Sequence, residues 1–161
     1  MTASVEQIRA SIVALLPRLR RFARVITRHP QDADDLVQLA VERALLRHAQ
    51  WQQELRFESW MFGIVRNAWI DEVRARKRRA GVLAPEEDGS NVADASASDQ
   101  VDALSVQKAM HALPEEQRLA VALVLIEGLS YKEAAAALQI PQGTLTSRLA
   151  RGREALQAQL Q

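Results

Sequence analysis

The stretch LSYKEAAAALQIPQGTLTSRLARGREAL, residues 129–156, has the layout of two short helices joined by a tight break. Ser130 and Glu133 form an S-x-x-E pattern, which predicts a capping box at the start of the first helix. That helix is expected to run to about Leu138, and Pro141 is expected to open the next one. The small side chains of EAAAAL allow the two helices to cross closely. The stretch therefore predicts a helix-turn-helix.

The second helix of this stretch has an apolar face and a polar face. The apolar arc, predicted to face the core, consists of Leu145, Leu149, Gly152, Leu156 and Leu160. The opposite side carries Thr144, Thr146, Ser147, Ala150 and Arg151, flanked by Arg148 and Arg153. Hydroxyl and guanidinium groups suit hydrogen bonds to phosphates and to base edges. Periodicity alone is equally typical of an ordinary helical hairpin with a solvated face.

The whole chain divides into three parts. The N-terminal part, residues 1–80, repeats apolar residues such as Ile8 and Ile12 at steps of three and four, which predicts helices. Residues 81–100 are acidic and have little to bury, so they are predicted to form a flexible linker. The C-terminal part, residues 101–161, is helical again. The predicted fold class is all-α, with two small helical domains joined by a flexible linker, the C-terminal one a helix-turn-helix.

Local signals set the expected helix boundaries. Pro17 is expected to kink the first helix or to start a new one. A third helix is expected from about Ser59, with Trp60 on its buried side. In the C-terminal part, Pro114 is expected in the first turn of a helix that stops at Gly128.

Charge is distributed unevenly along the chain. The net charge of +1 is the sum of +6 in residues 1–80, −5 in residues 81–100 and zero in residues 101–161. A basic N-terminal part favours a polyanionic partner. The chain has no cysteine, which excludes disulfides and thiolate zinc sites and favours a cytoplasmic location. The start of the chain does not read as a signal peptide, and the longest apolar run, residues 119–126, is too short for membrane insertion.

The pattern of titratable residues argues against an enzyme. The three histidines, His29, His48 and His111, are scattered without metal-ligand spacing. The sequence contains neither a nucleophile elbow nor a phosphate-binding loop. We therefore expect no catalytic residues, no metal and no cofactor.

Two segments resemble a known family in the same order. EGLSYKEAAAALQIPQGTLTSRLARGREAL closely resembles the −35-reading domain of bacterial extracytoplasmic-function (ECF) sigma factors, with the elements G-L-S-Y-x-E-A-A and I-P-x-G-T-x-x-S-R-L-x-R-x-R. In the N-terminal part, PRLRRFARVITRHPQDADDLVQLAVERAL resembles the helices that bind the RNA polymerase clamp. FESWMFGIVRNAWIDEVRARKRR resembles the segment that engages the −10 element. The resemblance implies a sigma factor that binds core RNA polymerase and directs promoter-specific initiation.

The resemblance also implies which residues make each contact. Those implied for core polymerase, which is bound through its clamp and flap regions, are Asp34, Asp35, Leu36, Gln38 and Leu39. Leu39 stands where the family often has an acidic residue, and Val41 where it often has an aromatic one. The aspartates also suit the positive start of a helix, so a purely structural role stays open for them.

Two further sets are implied for promoter DNA. The set for the −10 element is Gln52, Gln53, Arg56, Arg66, Asn67, Arg74 and Lys77. The set for the −35 element is Gly143, Thr144, Thr146, Ser147, Arg148 and Arg151. Thr146 stands where the family often has a basic residue, and Ala150 stands where it has a larger side chain. These two differences favour a −35 sequence preference that is particular to this protein.

The resemblance finally implies a partner that inhibits the protein. Members of the family are held inactive by an anti-sigma factor that covers the polymerase-binding and DNA-binding faces. Two alternatives lack initiation activity: a sigma-like DNA-binding regulator, and a decoy that sequesters an anti-sigma factor.

Overall fold

The computed structural model of this protein describes residues 4–51, 55–81 and 98–160, with the side chains of residues 98–104 left undescribed. Seven α-helices lie in these ranges: α1 Val5–Thr27, α2 Pro30–Leu46, α3 Phe57–Ala80, α4 Ser98–Ala112, α5 Glu115–Val121, α6 Tyr131–Leu138 and α7 Gln142–Leu160. A short 3-10 turn, His48–Gln50, follows α2, and a π-helical turn, Ala122–Ile126, follows α5. The all-α prediction is confirmed. Most of the predicted linker lies outside the described residues, and α4 begins three residues before the predicted start of the C-terminal part.

Helices α1, α2 and α3 pack around one apolar core in the N-terminal part. The rings of Phe22 and Phe62 are both fully buried and meet edge to face, with centroids 5.2 Å apart. Pro17 was expected either to kink the first helix or to start a new one. Helix α1 continues through Pro17, so the prediction of a new helix is wrong. Pro17 faces solvent. Because proline has no backbone N–H, the Val13 carbonyl four residues earlier receives no helical hydrogen bond, but Val13 is 66% exposed. Water can therefore satisfy that carbonyl.

Helices α4 to α7 form the C-terminal part, and its turns follow the predicted signals. The hydroxyl of Ser130 accepts from the Glu133 amide at 3.1 Å, while the Glu133 carboxylate accepts from the Ser130 amide at 2.9 Å. This confirms the capping box. Gly128 has a φ of +78°, a conformation that favours glycine and ends the preceding helix.

The close crossing of α5 and α7 explains why a glycine lies on the apolar face of α7. A Cβ added at Gly152 would lie 2.6 Å from a methyl group of Val121. Leu145 and Leu149 are buried as predicted, but Leu160 is 50% exposed. The predicted apolar arc is therefore wrong at its last residue, Leu160, which is also the last residue of α7.

The two parts pack against each other. Helix α6 lies on α3, where the hydroxyl of Ser59 donates to the backbone carbonyl of Glu133 at 2.7 Å. Helix α4 lies near the end of α1, where Arg28 Nη2 donates to the backbone carbonyl of His111 at 2.9 Å. The structure thus brings together helices that are remote in sequence.

The imidazole of His111, beside this contact, has a lowered pKa. Burial lowers the pKa of its imidazole below the ordinary value of 6.5, and the positive charges of Arg118 and Arg28 lower it further. Hydrogen bonds to the backbone carbonyls of Arg24 and Val25 oppose this shift only partly. In the folded chain the neutral ring is favoured, so the unfolded chain binds more protons as pH falls below about 6.5.

We therefore expect the stability that depends on neutral His111 to be present above pH 6.5 and to be lost progressively as pH falls below it. Thermal melting at pH 7.5 and at pH 5.5 measures this loss. In His111→Gln, the decrease in melting temperature over that interval should be smaller than in the unsubstituted protein. An equal decrease in both proteins would show that His111 does not contribute to the pH dependence.

Candidate nucleic-acid interface

Helix α7 presents a polar face that is free of the core. Thr146, Ser147 and Arg151 are exposed there, as is Gly143 at the start of the helix. Thr144 is half-buried. Together these side chains form an outward surface of hydroxyls and a guanidinium group, which suits contacts in a DNA groove.

Two members of this face are engaged within the C-terminal part. The hydroxyl of Thr146 donates to the backbone carbonyl of Gln142 at 2.9 Å, so its oxygen remains available as an acceptor. Arg148 is half-buried, and its Nε lies 3.7 Å from a carboxylate oxygen of Glu116. Because Glu116 is 70% exposed, this weak ion pair holds the guanidinium only loosely.

Helix α3 carries the second basic surface, and the residues of this surface differ in their exposure to solvent. Arg74 and Lys77 are exposed, whereas Arg66 and Asn67 are half-buried. Asn67 lies in a cavity of about 270 Å³ between α3 and α6, which is also lined by Ala136 and Gln139. Helix α6 therefore covers the part of α3 that carries Asn67.

Arg66 is held in an unusual setting. Its Nη1 donates to Asn67 Oδ1 at 3.1 Å, while its buried Nε has no hydrogen-bond partner among the described residues. Burial lowers the pKa of its guanidinium, Glu115 opposes this shift, and the nearby positive charges of Arg148 and Arg74 add to it. The charges that act on Arg66 therefore come from α3 and α7 as well as from Glu115 in the first turn of α5.

The loop before α3 contributes one described charged residue to the site. Arg56 Nε lies 3.2 Å from carboxylate oxygens of both Glu58 and Glu133. Burial disfavours the charged form of Glu133, but hydrogen bonds from Ser130 and the charge of Arg56 outweigh it, so the pKa of Glu133 is lowered. Gln52 and Gln53 lie outside the described residues.

Three aromatic rings flank this loop. Trp51 lies 5.3 Å from Phe57 and 6.4 Å from Trp60, measured between ring centroids. All three are half-buried and pack against the main core. The prediction that Trp60 is buried therefore holds only in part, since its side chain is half-buried.

Helix α2 carries the residues predicted to contact polymerase. Asp34, Asp35 and Gln38 are exposed, whereas Leu36 is only 4% exposed and belongs to the core. Leu39 is half-buried. A shallow groove of about 560 Å³ runs between α1 and α2, and Asp34 and Gln38 form part of its wall.

A second group of charged residues connects α3 to the start of α2. Arg76 donates two hydrogen bonds to the carboxylate of Asp32, at 2.9 and 3.1 Å, and one to Glu72 at 2.9 Å. Its guanidinium also lies over the ring of Trp69, 5.3 Å from the centroid. Arg76 therefore joins α3 to the start of α2.

Neither a metal site nor a membrane-spanning helix is found among the described residues. Within residues 4–51, 55–81 and 98–160, the structure groups no set of three or more side chains that could hold a metal ion. None of the described helices is long and apolar enough to cross a membrane.

Comparisons with known proteins match both parts of the chain. Residues 12–79 match the family model for sigma-70 region 2, and residues 103–156 match the model for sigma-70 region 4. The ECF RNA polymerase sigma factor SigM of Mycobacterium tuberculosis is 39% identical over 139 residues, which cover 86% of this chain and 69% of that protein. The chain belongs to the ECF sigma factors. The sigma factor EcfG of Rhodopseudomonas palustris is 33% identical over 159 residues, which cover 96% of this sigma factor and 86% of EcfG.

A solved structure resembles this sigma factor over both parts at once. It is the co-crystal structure of the sigma factor RpoE with the anti-sigma factor NepR from Bartonella quintana, with a TM-score of 0.80 and 28% identity. The match covers 96% of this sigma factor and 97% of that chain.

Sequence reasoning missed one buried group in this sigma factor. Glu127, in the EG that was read only as a helix stop, has a fully buried carboxylate between Arg18 and Arg21. No local pattern could have found it, because the partners lie 109 and 106 residues away in the chain.

Proposed function

We propose that this sigma factor binds core RNA polymerase through α2 and the adjoining groove, and reads the promoter through α3 and α7. The observation that carries the proposal is the exposed polar face of α7, with Ser147 and Arg151 free of the core. Because these side chains make no contribution to the core, their chemistry is available to DNA. Such a protein would work in the cytoplasm, where core polymerase transcribes.

The polymerase contact is assigned to the exposed members of the predicted set. Asp34, Asp35 and Gln38 stand on the solvent side of α2 and would meet the clamp directly. Leu39 would add partial apolar contact, while Leu36 would position the helix from inside the core.

The promoter contacts are assigned to two surfaces. Arg74 and Lys77 of α3 would bind the backbone near the −10 element, and Arg66 and Asn67 would join them once uncovered. Gln52, Gln53 and Arg56 are proposed for the loop that captures a −10 base. On α7, Arg151 and Arg148 would contact phosphates and bases of the −35 element, with hydroxyls from Thr144, Thr146 and Ser147 and the backbone at Gly143 beside them.

An anti-sigma factor is the proposed inhibitory partner. The support comes from the structural relative, which was crystallised with an anti-sigma factor and matches this sigma factor over both parts. Free arginines on α7 favour an active sigma factor over a decoy, since a decoy has no need of DNA contacts.

The test of the proposal is transcription in vitro with purified core polymerase, with and without this chain, on a library of promoter fragments. Transcripts that depend on the chain and on defined −35 and −10 sequences are expected. DNA binding without transcripts would instead support the binding-only regulator.

Arg151→Ala should separate promoter reading from polymerase binding. Loss of one guanidinium contact to a base or phosphate is expected to weaken promoter binding by the polymerase complex about tenfold or more. The measurement is a titration of promoter DNA at several salt concentrations, because loss of a phosphate contact also lowers the salt slope by about one. Arg9→Ala, which removes the same charge from an exposed position of α1, is the matched control. Equal effects of the two variants would contradict the assignment.

A further inference from the structure

A network of charged side chains joins the end of α3 to the start of α2. Arg76 donates from Nη2 and Nη1 to the two carboxylate oxygens of Asp32, at 2.9 and 3.1 Å. Two such bonds between one guanidinium and one carboxylate fix orientation as well as distance. The same guanidinium donates from Nε to Glu72 at 2.9 Å, and Glu72 also lies 3.3 Å from Arg79. Exposed ion pairs are usually weak, but a two-bond geometry within a network is the arrangement in which they contribute.

The Arg76 side chain is ordered by its own helix. Its guanidinium lies over the ring of Trp69, 5.3 Å from the centroid, and Trp69 is half-buried against the main core. Glu72 precedes Arg76 by four residues, the spacing that brings two side chains together on one helix face. The hydrogen bond to Asp32, and after it the bond to Glu72, raises the pKa of the Arg76 guanidinium. Little side-chain freedom therefore remains for the contact with Asp32 to remove.

The start of α2 depends on a contact from outside the helix. Its N-cap residue, His29, makes no capping hydrogen bond through its side chain, although Pro30 favours the first helical position. Asp32 and Asp35, three residues apart on one face, repel each other. Because Arg76 pairs with Asp32, it offsets this repulsion and holds the first turn of α2 against α3.

The same turns of α2 carry the proposed polymerase contact. A cavity of about 140 Å³ between α2 and α3 is lined by Asp35, Leu36 and Leu39, which all belong to the set implied for polymerase. Trp69 and Arg76 line the same cavity from α3. The position of Arg76 therefore affects how this part of α2 is presented.

We propose that Arg76 is a positioning residue for polymerase binding: with Asp32 it holds the first turns of α2 in the orientation that presents their carboxylates to core polymerase. Those carboxylates are Asp34 and Asp35. The inference rests on the proposed polymerase contact of α2, and it gives Arg76 a role different from that of its neighbour Lys77, which is proposed to contact DNA. A chain in which the start of α2 is only partly ordered binds polymerase with an affinity reduced by the ordered fraction.

The first test measures affinity for core polymerase. We expect Arg76→Gln to weaken binding about tenfold, because a hydrogen bond to a charged group is worth about that factor or more. Arg76→Lys keeps the charge but cannot bond both carboxylate oxygens in the same way, so most of the loss should remain. The matched control is Arg43→Gln, since Arg43 joins the other end of α2 to α3 through Asp71, at 2.9 Å. This control should bind nearly as well as the unsubstituted chain.

The second test shows whether Arg76 acts through the carboxylates of α2. In a chain that carries Asp34→Asn and Asp35→Asn, Arg76→Gln should change polymerase affinity by less than about twofold, because the groups that it positions are gone. An equal loss with and without these carboxylates would show a general defect of the fold and would overturn the proposal.

Hydrogen exchange measures the order of α2 directly. The Ala33 amide donates to the His29 carbonyl at 2.9 Å at the start of the helix. In Arg76→Gln this amide should exchange about tenfold faster, because the first turn opens more often. Asp32→Asn breaks the same contact from the other helix and should act alike, and the double variant should add little to either change alone.

A third measurement separates positioning from DNA contact. In complexes assembled with saturating sigma factor, Lys77→Gln should lower the salt slope of promoter binding by about one, as a lost phosphate contact does. Arg76→Gln should leave this slope unchanged, since its guanidinium is already bonded to Asp32 and Glu72. A lowered slope in Arg76→Gln would assign Arg76 to DNA and overturn the positioning role.

Failure of this inference and failure of the proposed function give different results. If Arg76→Gln binds core polymerase as tightly as the Arg43→Gln control, or if Arg76→Lys restores full affinity, the positioning role is overturned. Unchanged exchange at Ala33 also overturns it. If the unsubstituted chain does not bind core polymerase, the proposed function fails, while exchange at Ala33 still shows whether Arg76 orders the start of α2. Circular dichroism of each variant shows whether its helices remain folded.

Discussion

Asp34→Lys combined with Asp35→Lys is expected to weaken binding to core RNA polymerase by at least about 100-fold, since opposed like charges at an interface cost several kcal/mol. Both carboxylates are exposed on α2, and Asp34 forms part of the wall of the groove beside α1. Reversal turns a favourable acidic contact into a repulsive one without touching the core. The fold should therefore survive while the interface fails.

A titration of labelled sigma factor with core polymerase measures this effect, at low and at moderate salt. The matched control is Glu6→Lys combined with Glu154→Lys, which produces the same change in charge at two exposed positions on α1 and α7. The control should bind core polymerase nearly as well as the unsubstituted chain. If the aspartate variant binds as well as the control, these residues only stabilise the start of α2.

Phe22→Ala is expected to destabilise the N-terminal part by about 3–5 kcal/mol. The ring is fully buried and meets Phe62 edge to face at 5.2 Å, so truncation leaves a cavity and removes an aromatic pair. The loss is comparable to the whole stability of many small domains, which is about 5–15 kcal/mol. A large fraction of the variant should therefore be unfolded at 37 °C, and polymerase binding should be lost with it.

Urea denaturation followed by circular dichroism checks this expectation. Val13→Ala removes an apolar side chain from the same helix at a position that is 66% exposed, and should change stability by less than about 0.5 kcal/mol. Similar midpoints for the two variants would contradict the assignment of Phe22 to a tightly packed core.

Much of the local structure could be predicted because its causes are local. The capping box of Ser130 and Glu133 involves residues three apart, and the buried Leu145 and Leu149 repeat at helical spacing. Hydrogen bonds and side-chain periodicity within a few residues are encoded directly in a short stretch of sequence. For the same reason α6 ends at Leu138, where it was predicted to end.

The candidate site was predicted less completely, because burial depends on what packs against each residue. Leu36 belongs to the same predicted polymerase set as Asp34, yet it lies in the core while Asp34 is exposed. Asn67 belongs to the set implied for the −10 element, but it is half-buried in the cavity between α3 and α6. The helical repeat identifies faces and does not identify which face another helix will cover.

The sequence by itself determined the class of fold, the helix-turn-helix and the family, because capping, breaks and apolar periodicity all act between neighbours along the chain. Only the tertiary structure decided that Glu127 lies buried between Arg18 and Arg21, and that α6 packs on α3 at Gly63. The physical reason is distance along the chain. Contacts between residues 74 to 109 positions apart arise from the packing of whole helices, and no short stretch of sequence contains both partners.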